Sequence, residues 1–254
     1  VTVFTEVLTR LLRQDSGRPL VTFYDDATGE RTELSVATYA NWVAKAGSLL
    51  VDEIDLERGM RIRVDLPPHW LTTVFLGAAW STGLVVTDDS GDGGEPEAVV
   101  TGPDGLDRWS AQASERAVLA CSLRPLGVRF AEPLPPGVHD VGVEIWSQPD
   151  SFVPWDPPSG ADPAVALAGA TISQDELWEA AAAGTSIGST GGDRLLSEVN
   201  PASPPGIPSF TGPLRTGGSV VLAVHAGPDR LEAIAVAERV TGRFPRVAAT
   251  DVQN

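Results

Sequence analysis

Apolar positions between Val3 and Arg13 fall at Phe4, Val7, Leu8, Leu11 and Leu12, a spacing that gathers them on one face of a helix. Leu20 to Tyr24 is a compact apolar run that reads as a strand. Asp25-Asp26-Ala27-Thr28-Gly29 supplies a hairpin turn, and Glu30 to Leu34 returns. Ser35 then caps a longer helix whose stripe is Val36, Tyr39, Ala40, Val43, Gly47 and Leu50. Gly59 ends the next connection and Met60 to Leu66 reads as a strand. Pro67-Pro68 opens a helix with Leu71, Val74, Phe75, Ala78 and Ala79 on one face, Gly83 stops it, and Leu84 to Thr87 is again a strand. Strand, helix and strand with short joints predict a parallel sheet.

Beyond an acidic, glycine-rich loop at Asp88 to Pro96, short strands are expected at Ala98–Thr101, Ala117–Cys121 and Val141–Trp146. From Phe130 to Pro163 prolines interleave with Trp146, Phe152 and Trp155, which reads as a packed irregular connector rather than a flexible linker. Ala164–Leu167 is a strand, and Ser173-Gln174-Asp175-Glu176 is a capping box that opens a helix to Ala183. Leu195–Val199, Ser219–Val224 and Arg246–Ala249 are further strands, with helices near 208–216 and 228–240. The fold class is α/β, mostly parallel sheets flanked by helices in two packed lobes: residues 1–160 with the Pro/Trp-rich connector, then 161–254.

Charge narrows the partners. Eighteen basic against 34 acidic residues leave a net charge of −16 over 254 residues. That balance argues against nucleic acid and anionic membranes, both of which reward Lys and Arg. Lys45 is the single lysine. Cys121 stands alone in an apolar run, so it is expected to be a small buried hydrophobe without a disulfide. No apolar stretch approaches a membrane span and none with a basic lead opens the chain, so a cytoplasmic location is expected.

Glu30-Arg31-Thr32-Glu33-Leu34-Ser35 precedes an amphipathic helix. Leu56-Glu57-Arg58-Gly59-Met60-Arg61-Ile62-Arg63-Val64, Leu66-Pro67-Pro68-His69-Trp70 and Ala78-Ala79-Trp80-Ser81-Thr82-Gly83 follow in order. This succession resembles the opening of adenylate-forming enzymes, the acyl- and aryl-CoA synthetases and their AMP-binding relatives. The matching positions build the fold, so they imply architecture more than activity. More faintly the resemblance runs to about Val240, where Asp162 to Leu167 is similar to the strand that in such enzymes leads into a Thr/Ser/Gly loop ending in Lys. That loop wraps the ATP phosphates with backbone N–H groups and hydroxyls. Here Leu167 is followed by Ala168-Gly169-Ala170-Thr171-Ile172 and the capped helix. The phosphate loop is expected to be deleted, with a tight connection in its place.

A second run, Thr185-Ser186-Ile187-Gly188-Ser189-Thr190-Gly191, mimics the missing loop in composition but follows the helix that the loop should precede. Thr185, Ser186, Gly188, Ser189, Thr190 and Gly191 are nevertheless the candidate cofactor-binding residues. The resemblance further implies a Pro-x-x-His run near an acyl or aryl pocket. Its counterpart is Pro201-Ala202-Ser203-Pro204, without the histidine. The family's ribose-binding Asp, hinge and catalytic Lys are expected to have no counterpart before Asn254.

Other constellations are thinner. His69, His139 and His225 lack ligand spacing, with His69 a surface or capping residue at a helix start. Asp88 to Gly93 is a poor calcium loop, with Val99 where a bidentate Glu belongs. No nucleophile elbow exists for Ser-His-Asp catalysis. The expectation is a non-catalytic, truncated relative of the synthetases with a binding or assembly role, no catalytic residue, no metal and no cofactor. The alternatives are half of a split synthetase completed by a partner chain, and a binding module for acyl-CoA, carboxylate or nucleotide. An exposed sheet edge around Ser219–Val224 would favour a homodimer or partner protein at the carboxy-terminal lobe.

Overall fold

The computed structural model describes residues 2–88, 94–184 and 193–245. The chain starts with α1 (Phe4–Asp15), the hairpin β1 (Pro19–Asp25) and β2 (Glu30–Ser35), then α2 (Val36–Ser48), which runs on as a π-turn over Leu49–Glu53. Ser35 caps α2 by accepting the Thr38 N–H at 3.1 Å. Next come β3 (Arg61–Asp65), α3 (Trp70–Thr82), β4 (Val85–Thr87), β5 (Ala98–Thr101), α4 (Leu106–Ser110), β6 (Ala117–Ala120), β7 (Val138–Asp140) and α5 (Val141–Glu144). The remainder is β8 (Pro163–Leu167), β9 (Ala170–Ser173), α6 (Gln174–Gly184), β10 (Arg194–Ser197), α7 (Ile207–Thr216), β11 (Ser219–Val224), α8 (Pro228–Ala237) and β12 (Gly242–Phe244).

Among the described residues two sheets form, ordered β12-β10-β11-β1-β2 and β7-β6-β5-β3-β4-β8-β9. All pairs are parallel except β1–β2 and β8–β9, each closing one edge antiparallel. The α/β class expected from the pattern is the fold observed. The sheets do not divide the chain at residue 160, however. β1 and β2 complete the sheet built from β10 to β12, and β8 and β9 extend the other.

Helix α3 is the pivot. Every residue from Trp70 to Thr82 is buried, because it packs on β1 of one sheet, on β3 and β4 of the other, and on α1 and α2. A helix enclosed on all sides cannot carry a polar stripe, and this one has none. Its N-cap is His69 and its C-cap Gly83, which at φ +77° adopts the left-handed turn that glycine tolerates. Gly77 admits α1 and α2 so closely that a Cβ would come within 2.9 Å of Phe4 and Val43. Around this axis Phe4, Trp80, Trp178 and Phe210 form an aromatic cluster with ring centroids 5.8 to 6.3 Å apart.

Four expectations need correction. Val141–Trp146 is not a strand: Asp140 accepts the Gly142 N–H at 2.9 Å and caps α5, and the strand lies just before it in β7. Ala164–Leu167 does not pass directly into a helix, since β9 intervenes. The connector is only partly packed, with Trp155 82% exposed and Trp146 53%. Finally, β11 is the central strand of its sheet, so it offers no open edge. The edge of that lobe is β12, formed by residues after Thr241 that fold back onto β10. The strand expected at Arg246–Ala249 lies outside the described residues.

Candidate functional site

The place where the resemblance puts a phosphate loop is the end of β8. Val165 and Ala166 pair with Val86 and Thr87 of β4, and β8 then reverses into β9 with Leu167 opposite Ala170. The reversal takes two residues, Ala168 at φ +50° and Gly169 at φ +76°. Positive φ at both central positions is what a tight hairpin of this twist demands. The Ala168 N–H donates to the Asp88 carboxylate at 2.9 Å. A backbone donor that could face an anion is thus already matched by one. Residues 168–170 sit exposed at the hairpin tip rather than filling a phosphate-sized space.

Beneath this turn the start of α6 is tied into the core. Gln174 donates to the Trp80 carbonyl at 2.9 Å and accepts from the Phe4 N–H at 3.3 Å, and Trp80 donates to the Ala164 carbonyl at 3.2 Å. The capping box forms as the spacing predicts: the Ser173 N–H donates to Glu176 at 2.8 Å, and the Glu176 N–H donates to the Ser173 hydroxyl at 3.3 Å. The Ser173 N–H and the Ser173 hydroxyl, both donating to the Glu176 carboxylate, hold that carboxyl below its usual range. Lys45 lies on α2, bound to Asp150 at 3.1 Å and to the Gln148 carbonyl. Thr185, Ser186, Gly188, Ser189, Thr190 and Gly191 lie outside the described residues, as do Asp89 to Gly93 of the acidic loop.

Just before the run Pro201-Ala202-Ser203-Pro204 the chain is tied to the junction between the sheets. Asn200, just beyond β10, donates to the Leu66 carbonyl at 2.7 Å and accepts the Ala202 N–H at 2.9 Å. On the neighbouring loop His69 accepts the Leu71 N–H through Nδ1 at 3.2 Å, so the capping role is observed. It is not at the surface: the residue is 3% exposed, its ring edge-on to Phe23 at 4.6 Å, and Nε2 has no hydrogen-bond partner among the described residues. Burial lowers its pKa to about 3, leaving it neutral.

One pair escaped the sequence reading. His225, at φ +58° just after β11, contacts Asp25 at the end of β1, Nδ1 to Oδ1 at 2.7 Å. Partial burial opposes ionisation of Asp25, yet hydrogen bonds from His225, the Ala27 N–H and Thr28 keep its carboxyl below the usual range. Two hundred residues separate the partners, and only the pairing of β1 with β11 joins them. Cys121 is buried, which raises its thiol pKa and makes it inert. Among the described residues no cluster of three His, Cys, Asp or Glu could hold a metal. Nor is any described helix long and apolar enough to cross a membrane.

The architecture is that of part of the large domain of acyl-CoA synthetases. An acyl-CoA synthetase from Brucella canis superposes with a TM-score of 0.77 at 18% identity, covering 93% of this chain and 46% of that one. A fatty acyl CoA synthetase from Mycobacterium tuberculosis gives 0.72 at 14% identity, with 94% and 48% covered. A benzoate CoA ligase from Burkholderia xenovorans gives 0.72 at 17%, with 94% and 49% covered. The chain therefore spans about half the length of these enzymes. No protein-family profile matches it. A protein of Mycobacterium tuberculosis described as a TIGR03089 family protein is 36% identical over 244 residues, covering 92% of this chain and 95% of its own length. The chain belongs to the TIGR03089 family.

Proposed function

We propose that this protein is a non-catalytic relative of the acyl-CoA synthetases that keeps their scaffold for binding or assembly. The β8–β9 turn carries this reading. Adenylation of a carboxylate requires donors and cationic charge placed where phosphate charge develops. Here the strand that should open onto such a loop closes in two residues, and its turn N–H is engaged by Asp88. A carboxylate at that point repels a phosphate instead of stabilising it. Lys45 is held elsewhere by Asp150. The synthetase-like positions of the sequence, such as Gly83 and Leu66, serve packing and turn geometry, which supports retention of the fold without the chemistry.

The test is exchange of labelled pyrophosphate into ATP by the purified chain with a panel of carboxylic acids. No carboxylate-dependent exchange is expected, and a rate above the acid-free control would overturn the proposal. A thermal-shift panel of ATP, AMP and CoA runs alongside it, because a ligand that binds only the folded state raises the melting temperature.

A further inference from the structure

A groove of about 450 Å³ opens between α1, α2 and the segment 150–157, lined by no residue of the β8–β9 turn. Its floor comes from the apolar faces of the two helices, Leu8 and Leu12 of α1 with Ala40 and Ala44 of α2. Ala40 and Ala44 lie one turn apart and bring only methyl groups, so the floor stays low. The far wall is Phe152, Val153 and Pro154. Phe152 sits over α2 at Gly47, where a Cβ would meet its ring at 3.1 Å.

This wall is held from both ends. Lys45 binds Asp150 at 3.1 Å and the Gln148 carbonyl at the near end. At the far end Arg58 binds Asp156 at 2.9 Å, Asp162 at 2.7 Å and the Pro157 carbonyl at 3.2 Å. Prolines 154 and 157 stiffen the stretch between. The groove is therefore formed before anything enters it, which lowers the ordering cost of binding. Its volume and mostly apolar lining, with a few hydroxyl and amide groups at Thr5, Asn41 and Ser81, match those of small-molecule sites.

Charge selects the ligand class. Among the described residues lining the groove there is no Arg or Lys, and the one ionisable side chain is Asp150. Lys45, behind that wall, already faces Asp150. An anionic ligand would meet a carboxylate on a chain of net charge −16, and the arginines of α1 nearest by, Arg10 and Arg13, line the neighbouring surface and not the groove.

We infer that the groove between α1, α2 and the segment 150–157 binds an uncharged, apolar small molecule carrying a hydrogen-bonding end. This rests on the binding role proposed above and names its ligand class. The experiment is a fluorescence titration of the full chain with the uncharged probe N-phenylnaphthylamine, followed by competition with decanol or decanoate. Saturable binding is expected, displaced by decanol and not by equal decanoate. Ala44→Phe fills the floor and should weaken the probe about tenfold or more. Should that variant not fold by circular dichroism, Val153→Asp, at a position 85% exposed, tests the same wall with the same expected direction. Absence of saturable binding, or binding unchanged in a folded variant, overturns the site. Displacement by decanoate as readily as by decanol overturns the ligand class. None of these outcomes depends on pyrophosphate exchange, so the two readings fail separately.

Discussion

Two tryptophan-rich regions of this molecule look alike in sequence and behave oppositely in the fold. Trp80 and Trp178 sit fully buried on α3 and α6, packed with Phe4 and Phe210 between the sheets. Each indole N–H has an acceptor there, the Ala164 carbonyl for Trp80 and Gln174 for Trp178. Trp146 and Trp155, on the connector, leave half or more of their surface in solvent. The first pair lies on helices whose period returns apolar side chains to one direction. Of the second pair, Trp146 sits on a single 3-10 turn after α5 with only one face on Trp42. Trp155 sits on proline-rich chain whose backbone ion pairs from Lys45 and Arg58 hold, so both rings are left largely in solvent. Aromatic content therefore marks a core only when secondary structure aims it inward.

The largest effect should come from Trp178→Ala. Removing a fully buried indole against Trp80 leaves a cavity and takes one donor from Gln174, and should cost about 3–5 kcal/mol, read as a shift in the urea midpoint at unchanged slope. A loss below about 1 kcal/mol would break the contrast between the regions.

His69→Asn comes next, because it tests the cap of the buried helix. The unfolded chain takes up a proton at His69 near pH 6.5, whereas the folded site resists protonation down to about 3. Stability from neutral His69 is whole above pH 6.5 and is lost as pH falls toward 3, at up to about 1.4 kcal/mol per pH unit. Asn keeps an N-cap acceptor without titrating. Urea midpoints measured from pH 7 to 4 should fall less steeply in the variant, and parallel curves would refute the assignment.

On the connector, Arg58→Ala removes the far anchor of the segment 150–157. The expected result is faster hydrogen exchange and proteolysis confined to that segment, with the global unfolding midpoint nearly unchanged. Protection lost across the whole protein would mean that the connector belongs to the core. Smallest of all, Trp155→Ala should change stability by less than about 0.5 kcal/mol by the same urea titration.

Local chemistry determined much of this chain. The spacing of Phe4, Val7, Leu8 and Leu11, the Ser35 cap, the Ser173–Glu176 box and the Gly83 stop each act within a few residues, so helix periods and termini could be read directly. The short connection after Leu167 was legible for the same reason, as a shortage of residues between a strand and a cap. Tertiary structure decided the rest. An apolar run at Val141–Trp146 suits strand or helix alike, and the Asp140 cap with its place after β7 selects α5. Ala170–Ser173 is too short to announce itself as a strand, and forms because β8 offers an unpaired edge. Likewise β1 finds β11, joining Asp25 to His225, through the burial of both strands against α3 and α7, a long-range packing choice that no local pattern encodes. The groove over Ala40 and Ala44 arises in the same way. In sequence these are ordinary helix alanines; they become a floor only once Lys45 and Arg58 fasten a distant segment above them.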